Sequence, residues 1–262
     1  MIRVAVSGTG NMGATVIAAL EAQSDLQLVG VIAPRGAAGK HRAAGGALYR
    51  LQPDPAALFA ATRPDVVVDF TNAAFVPQIV AAALAAGVRP VIGTSGIAAE
   101  TVEALRAGCE RRRLGALVAP NFAIGAVVLM HLAQIAARYF DAAEIIELHH
   151  DRKVDAPSGT AIETARLMRA ARGSDFDHPQ PRITPVEGSR GGVLGGVGLH
   201  SVRLPGLVAH QEVILGGPGQ TLTLRHDSIG RDSFMPGVLL AIRAVMEREN
   251  LTVGLGELIG LR

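Results

Sequence analysis

Along the first 120 residues the apolar positions alternate between two rhythms. Residues 2–6 form a short apolar run that stops at glycine. Gly13, Val16, Ile17 and Leu20 follow at the spacing of one helix face. Residues 26–32 read as a second strand, and Asp54-Pro55 reads as an N-cap with proline in the first helical turn. Val66-Val67-Val68 is a β-branched run suited to a strand buried on both faces. An alanine-rich helix over 73–86 stops at Gly87. Residues 88–92 and 116–119 are further strands, with a helix over about 98–111 between them. Strands alternating with helices predict a parallel sheet with right-handed crossovers.

The second half has another pattern. A long apolar helix over 124–139 precedes a strand at 143–149 and a helix at about 161–172. Residues 173–196, rich in Gly, Pro and polar side chains, read as a loop. Three strands follow at 197–204, 209–215 and 221–225, then a last helix over about 234–247. Runs of strands after one helix predict an open mixed sheet. The expected fold is α/β: a Rossmann-like doubly wound parallel sheet with a second α+β domain built on an open mixed sheet. Residues 1–121 and 231–262 are expected to form a dinucleotide-binding domain, and 122–230 a substrate-binding and oligomerisation domain.

Composition narrows the classes. The 262 residues are 49% hydrophobic with a formal net charge of +2, a globular balance with no strong electrostatic bias. The one basic run, Arg111-Arg112-Arg113, follows an amphipathic stretch and reads as a solvated helix end. With two Tyr and no Trp there is little to stack on bases, so no nucleic-acid partner is expected. Cys109 is the only cysteine, which leaves neither an intrachain disulfide nor a cysteine-based metal site, and no metal is expected. No apolar stretch approaches the roughly 20 residues needed to span a bilayer. The start lacks the apolar core of a signal peptide. A soluble protein of a reducing cytoplasm, with no membrane partner, is the expectation.

Gly8-Thr9-Gly10-Asn11-Met12-Gly13 is a G-x-G-x-x-G pattern set directly between the first strand and an amphipathic helix. The first glycine permits the tight turn, the second lets the backbone approach a pyrophosphate, and the third lets the helix pack on the strand. The free amides at the helix start then face the phosphates. An acidic residue at the end of the second strand would bind a ribose 2′-hydroxyl. Here the chain reads Ala33-Pro34-Arg35 with no acid nearby, which points to NADPH at least as much as NADH.

The segment from Glu147 to Ala161, ELHHDRKVDAPSGTA, leaves a strand and enters a helix. Thr160 with Glu163 three residues on reads as a capping box. The amides of Ser158, Gly159 and Thr160 are therefore expected to meet an anion such as a carboxylate. Only two of the 25 basic residues are lysines, Lys40 and Lys153. A lysine here points to chemistry that arginine cannot do, because lysine can give up its proton. His149 and His150 point to opposite sides of a strand, which disfavours shared metal ligation.

At these residues the chain resembles the 4-hydroxy-tetrahydrodipicolinate (dihydrodipicolinate) reductase family of the diaminopimelate route to lysine. The likeness extends to Val68-Asp69-Phe70-Thr71, Gly93-Thr94-Ser95-Gly96, the run from Ala119 to Gly125, Arg203 through Glu212, and Arg231-Asp232-Ser233-Phe234. It implies that His149 is the catalytic acid/base and Lys153 a proton donor and carboxylate partner. It further implies that His150, Gly159 and Thr160, with Ser158 at the same helix start, bind a small cyclic dicarboxylate. Gly93, Thr94 and Ser95, with Ala119, Pro120, Asn121 and Phe122, are implied to line the nicotinamide and ribose of NADPH or NADH. A homotetramer is implied too. The chain departs from the family in a glycine loop one residue shorter than usual and in Ser95, where the family carries threonine. Residues 36–49 match no family pattern. Two other readings share the glycine loop: a related imine or oxo-acid reductase of the aspartate dehydrogenase kind, and a non-catalytic NAD(P)-sensing protein. Neither requires His149 and Lys153.

Overall fold

The computed structural model describes residues 1–34, 39–42, 46 and 48–261, without the side chains of 39–42. Arg35, the residue on which the cofactor expectation turned, lies outside the described residues. Two compact units emerge, Met1–Phe122 with Phe234–Arg262, and Ala123–Ser233. The first unit thus ends one residue later than expected and resumes three residues later.

The first unit runs β1 (Ile2–Ser7), α1 (Asn11–Glu21), β2 (Leu26–Ile32), β3 (Gly39–Arg42), β4 (Leu48–Gln52), α2 (Pro55–Thr62), β5 (Val66–Asp69), α3 (Val76–Ala86), β6 (Arg89–Ile92), α4 (Ala99–Arg112) and β7 (Ala116–Val118). The second unit adds α5 (Ile124–Ala136), β8 (Ala142–His149), α6 (Gly159–Arg172), β9 (Gly192–Leu194), β10 (Val197–Arg203), β11 (Ala209–Gly217) and β12 (Gln220–Ser228). The chain then returns to the first unit with α7 (Met235–Ala244) and β13 (Leu251–Val253).

The first sheet has the order β13-β7-β6-β5-β1-β2-β4-β3, parallel except for β3, which lies antiparallel on β4. Its central strand β5 is buried at every position, as a β-branched run between two helical layers must be. Local signals set the helix ends. Asp54 caps α2 by accepting from the amides of Ala56 and Ala57, and Gly87 ends α3 in the left-handed region at φ +69°. The strand order reverses at β1, so β5 and β2 leave it on opposite sides. A crevice at such a switch point, outside the carboxyl ends of the strands, is where open α/β sheets bind ligands.

The second sheet, in the order β12-β11-β8-β10-β9, is mixed: β10 runs parallel to β8 and the other pairs are antiparallel. Helices α5 and α6 cover one face. Leu129, Ala133, Ala161, Ala165 and Met168 meet Ala143, Ile145, Val197, Leu199, Val213 and Leu215 in one buried cluster. On these strands Ile146, Leu148, Val202 and Ile214 alternate to the opposite face and are half-buried.

Four strands lie where the sequence pattern shows none. β3 and the start of β4 fall within the stretch of 36–49, β9 falls in the expected loop over 173–196, and β13 follows a last helix that ends at Ala244 instead of 247. All four are short and lie at or next to a sheet edge, where pairing to an existing strand supplies what periodicity does not. The implied tetramer turns on the mixed sheet of the second unit, where few charges stand between residues 208 and 215. These residues lie in and beside β11, whose two edges are bonded to β12 and β8, so only the face of that strand remains for a partner.

Candidate active site

In the first unit, the described segments singled out for cofactor binding follow the carboxyl ends of strands, and the turn at Phe70-Thr71 lies among them. Gly8–Gly13 follows β1, Phe70-Thr71 follows β5, Gly93–Ser95 follows β6 and Ala119–Phe122 follows β7. The amides of Phe70, Gly93 and Ala119 donate to the carbonyls of Ser7 (3.0 Å), Asp69 (2.9 Å) and Ile92 (3.0 Å), so each turn is laced to the next strand.

The glycine loop is shaped by contact. Gly8 has φ +112°, and a Cβ there would lie 2.6 Å from the Phe70 carbonyl oxygen. A Cβ on Gly13 would lie 1.9 Å from the Gly8 carbonyl oxygen. Gly10 is the N-cap of α1 and makes no side-chain cap, and a Cβ there would meet nothing within 4 Å. The tight glycines thus face the protein and the open one faces outward. Thr9 and Asn11 are exposed, Met12 is half-buried and Gly13 is buried. This fits a diphosphate settling on the start of α1.

Beside it lies a buried polar cluster built on Asp69, a residue to which the sequence reading gives no role. Asp69, at the end of β5, is fully buried. Its carboxylate accepts from the hydroxyls of Thr94 (2.6 Å) and Thr71 (2.8 Å), and the Thr71 amide donates to Thr94 Oγ1 (2.9 Å). Burial pushes the Asp69 carboxyl above its ordinary value, against the pull of these hydroxyls. The Thr94 hydroxyl is therefore committed inward and fixes the turn after β6, while Ser95 is exposed. Gly93 is required by Phe70, whose ring would lie 2.1 Å from a Cβ at that position. Phe122 is 2% exposed and meets Phe70 edge-on at 5.7 Å, so it belongs to the core that supports the turn. Ala119 is buried, Asn121 half-buried and Pro120 exposed.

In the second unit, His149 ends β8, His150 follows it, and Lys153 sits on the turn leading to α6. The helix begins earlier than the Thr160 capping box implies. Ser158 is the N-cap, its Oγ accepting from the Ala161 amide at 3.2 Å. It wins because it is 3% exposed and its own amide donates to Glu147 Oε1 (3.1 Å), which anchors it. Both polar groups of Ser158 are thus engaged within the protein. The anion at its amide is the chain's own Glu147. Gly159 is exposed and Thr160 half-buried at the same helix start.

Glu147 is the main residue that sequence reasoning passes over. It is 1% exposed, and its carboxylate meets His149 Nδ1 at 2.5 Å and accepts both Arg203 Nη groups, at 2.9 and 2.7 Å. Burial opposes its charge, but the hydrogen bonds from His149 and Arg203 outweigh burial and bring its pKa down to about 2. Arg203 Nη2 also donates to the Asp155 carbonyl (2.6 Å), and the Asp155 carboxylate holds Lys153 Nζ at 2.7 Å. The signal was available in part: Glu147 and His149 are two apart on one strand and so share a face.

The family model described as dihydrodipicolinate reductase, N-terminus, matches residues 2–122, and that described as dihydrodipicolinate reductase, C-terminus, matches 125–259. The chain belongs to the dihydrodipicolinate reductase family. It is 48% identical to the 4-hydroxy-tetrahydrodipicolinate reductase of Moorella thermoacetica, over 98% of each chain. It is 46% identical to that of Geobacillus kaustophilus, over 98% of this chain and 99% of the relative. Among solved structures, the dipicolinate-bound dihydrodipicolinate reductase from Paenisporosarcina sp. TG-14 superposes with a TM-score of 0.85 at 41% identity, covering 98% of this chain and 99% of that one. This reductase is accordingly an NAD(P)H-dependent oxidoreductase of α/β fold. No helix among the described residues is long and apolar enough to cross a membrane.

Proposed function

We propose that the chain reduces 4-hydroxy-tetrahydrodipicolinate to tetrahydrodipicolinate in the diaminopimelate route, with His149 and Lys153 at the reacting ring. The observation that supports this most is the joint placement of His149, Lys153 and the α6 N-terminus around Glu147 and Arg203, within a chain that matches the family end to end. When bound, the reduced nicotinamide supplies a hydride to the ring, and a proton and the loss of water complete the balance. An imidazole can both give and take a proton, which suits His149 to proton delivery. Lys153, together with His150 and the start of α6 at exposed Gly159 and half-buried Thr160, suits the substrate carboxylates. Gly8–Gly13, Ser95, Pro120 and Asn121 would hold the dinucleotide. The dipicolinate in the Paenisporosarcina structure is a cyclic dicarboxylate of the same class.

Freshly generated 4-hydroxy-tetrahydrodipicolinate should therefore drive oxidation of NADPH at least as fast as of NADH. Absence of turnover with both would overturn the reading. The two rival readings predict turnover with another imine or oxo acid, or dinucleotide binding with no turnover at all.

A cytoplasmic homotetramer completes the proposal. The tetramer is supported by the face of the second sheet that α5 and α6 leave uncovered, which carries Ile146, Leu148, Val202 and Ile214, and by the exposed edge strand β12. Light scattering at micromolar concentration should report four chains, and a monomer would refute it.

A further inference from the structure

Resting on the reading of His149 as the proton-delivering group, we infer that Glu147, clamped by Arg203, is a positioning residue that fixes the imidazole in its Nδ1–H form and presents Nε2 for the proton exchange. The Glu147 carboxylate accepts one hydrogen bond from the His149 ring, two from Arg203 and one from the Ser158 amide, with the Ser201 side chain as a further partner. They come from the same strand, from a neighbouring strand and from the start of α6. Their positions follow from the fold. Glu147 and His149 share a face of β8, and β10 runs parallel beside them with Arg203 in register with His149. A carboxylate buried without partners would be strongly unfavourable, whereas one gripped by a guanidinium fork stays ionised.

An ionised carboxylate can only accept a hydrogen bond. The contact between Glu147 Oε2 and His149 Nδ1, 2.5 Å long, therefore requires a proton on Nδ1. With Nδ1 committed, Nε2 is the nitrogen left to exchange a proton. A carboxylate behind an imidazole does the same in hydrolytic triads, where its loss reduces turnover by leaving the wrong tautomer. Arg203 extends the arrangement. By gripping the Asp155 carbonyl, while the Asp155 carboxylate holds Lys153, it ties the turn that carries the lysine to the residue that orients the histidine. One ion pair, between buried Glu147 and half-buried Arg203, thereby sets the positions of both groups proposed to act on the ring.

The test combines spectroscopy with kinetics on the full-length protein. In 15N-histidine-labelled protein, above the pH at which the imidazoles are neutral, long-range 15N–1H correlations distinguish Nδ1–H from Nε2–H rings, and His149→Gln assigns the signal. The His149 signal is expected in the Nδ1–H pattern. Glu147→Gln, which keeps the size but removes the charge, should shift that pattern toward a mixture. It should lower kcat by about 10²-fold or more with NADPH affinity unchanged. A His149 ring in the Nε2–H form in the unsubstituted protein overturns the inference, even if Glu147→Gln does not fold. So does a folded Glu147→Gln protein with unchanged kcat and tautomer. If His149→Gln itself keeps full turnover, the assignment of His149 as the proton-delivering group fails instead, whatever the tautomer.

Discussion

His149→Gln and Lys153→Ala should each lower kcat by about 10²–10⁴-fold, the scale of a positioned acid or base, with NADPH affinity nearly unchanged. The separation follows from the fold: both residues lie in the unit Ala123–Ser233, and the glycine loop lies in the other. Glutamine in place of His149 can still hydrogen-bond but cannot carry a proton to the ring. Lys153→Arg is the sharper test. Lys153 is already paired with Asp155 at 2.7 Å, so a guanidinium there keeps that ion pair and the positive charge. It cannot release a proton near neutral pH. If Lys153 only holds a carboxylate, the arginine variant should recover much of the activity. If Lys153 donates a proton, arginine should be nearly as poor as alanine. Near-normal kcat in both variants, measured at saturating NADPH, would remove Lys153 from the chemistry.

The glycine loop should show the second large effect, on stability and on binding. At Gly13 a methyl group would lie 1.9 Å from the Gly8 carbonyl oxygen, and backbone on both sides of that contact cannot yield cheaply. Gly13→Ala should therefore destabilise the protein by about 1–3 kcal/mol or more, as overpacking does, and push α1 away from β1. At Gly10 a Cβ meets nothing within 4 Å. Gly10→Ala should lower the melting temperature of the free protein only by the loss of a glycine N-cap, less than Gly13→Ala does, and still weaken NAD(P)H binding by tenfold or more, about 1.4 kcal/mol, because that open side is where a diphosphate would approach. Thermal melts and fluorescence titration with NADPH separate the two effects. Undiminished affinity in Gly10→Ala would show that the diphosphate does not lie on this loop.

How much the sequence determined by itself depends on how local each feature is. The strand at Val66–Asp69, the loop at Gly8–Gly13 and the stop of α3 at Gly87 are legible because their cause lies within a few residues. These are β-branched burial, backbone room and positive φ. The alternation of strands and helices then fixed the parallel sheet, since crossovers of one hand leave few topologies. The short strands β3, β4, β9 and β13 are not legible, because a neighbouring strand and not their own pattern makes them strands. The N-cap of α6 falls at Ser158 instead of Thr160 for a similar reason: Glu147, eleven residues earlier, takes the Ser158 amide. Arg203 stands 56 residues from Glu147, and Thr94 stands 25 from Asp69. Sequence could name His149 and Lys153 as reactive types at a strand-to-helix turn. Only the parallel pairing of β8 with β10 could bring the guanidinium to the buried carboxylate behind them, because a buried charge is tolerated only where the tertiary structure supplies its partner.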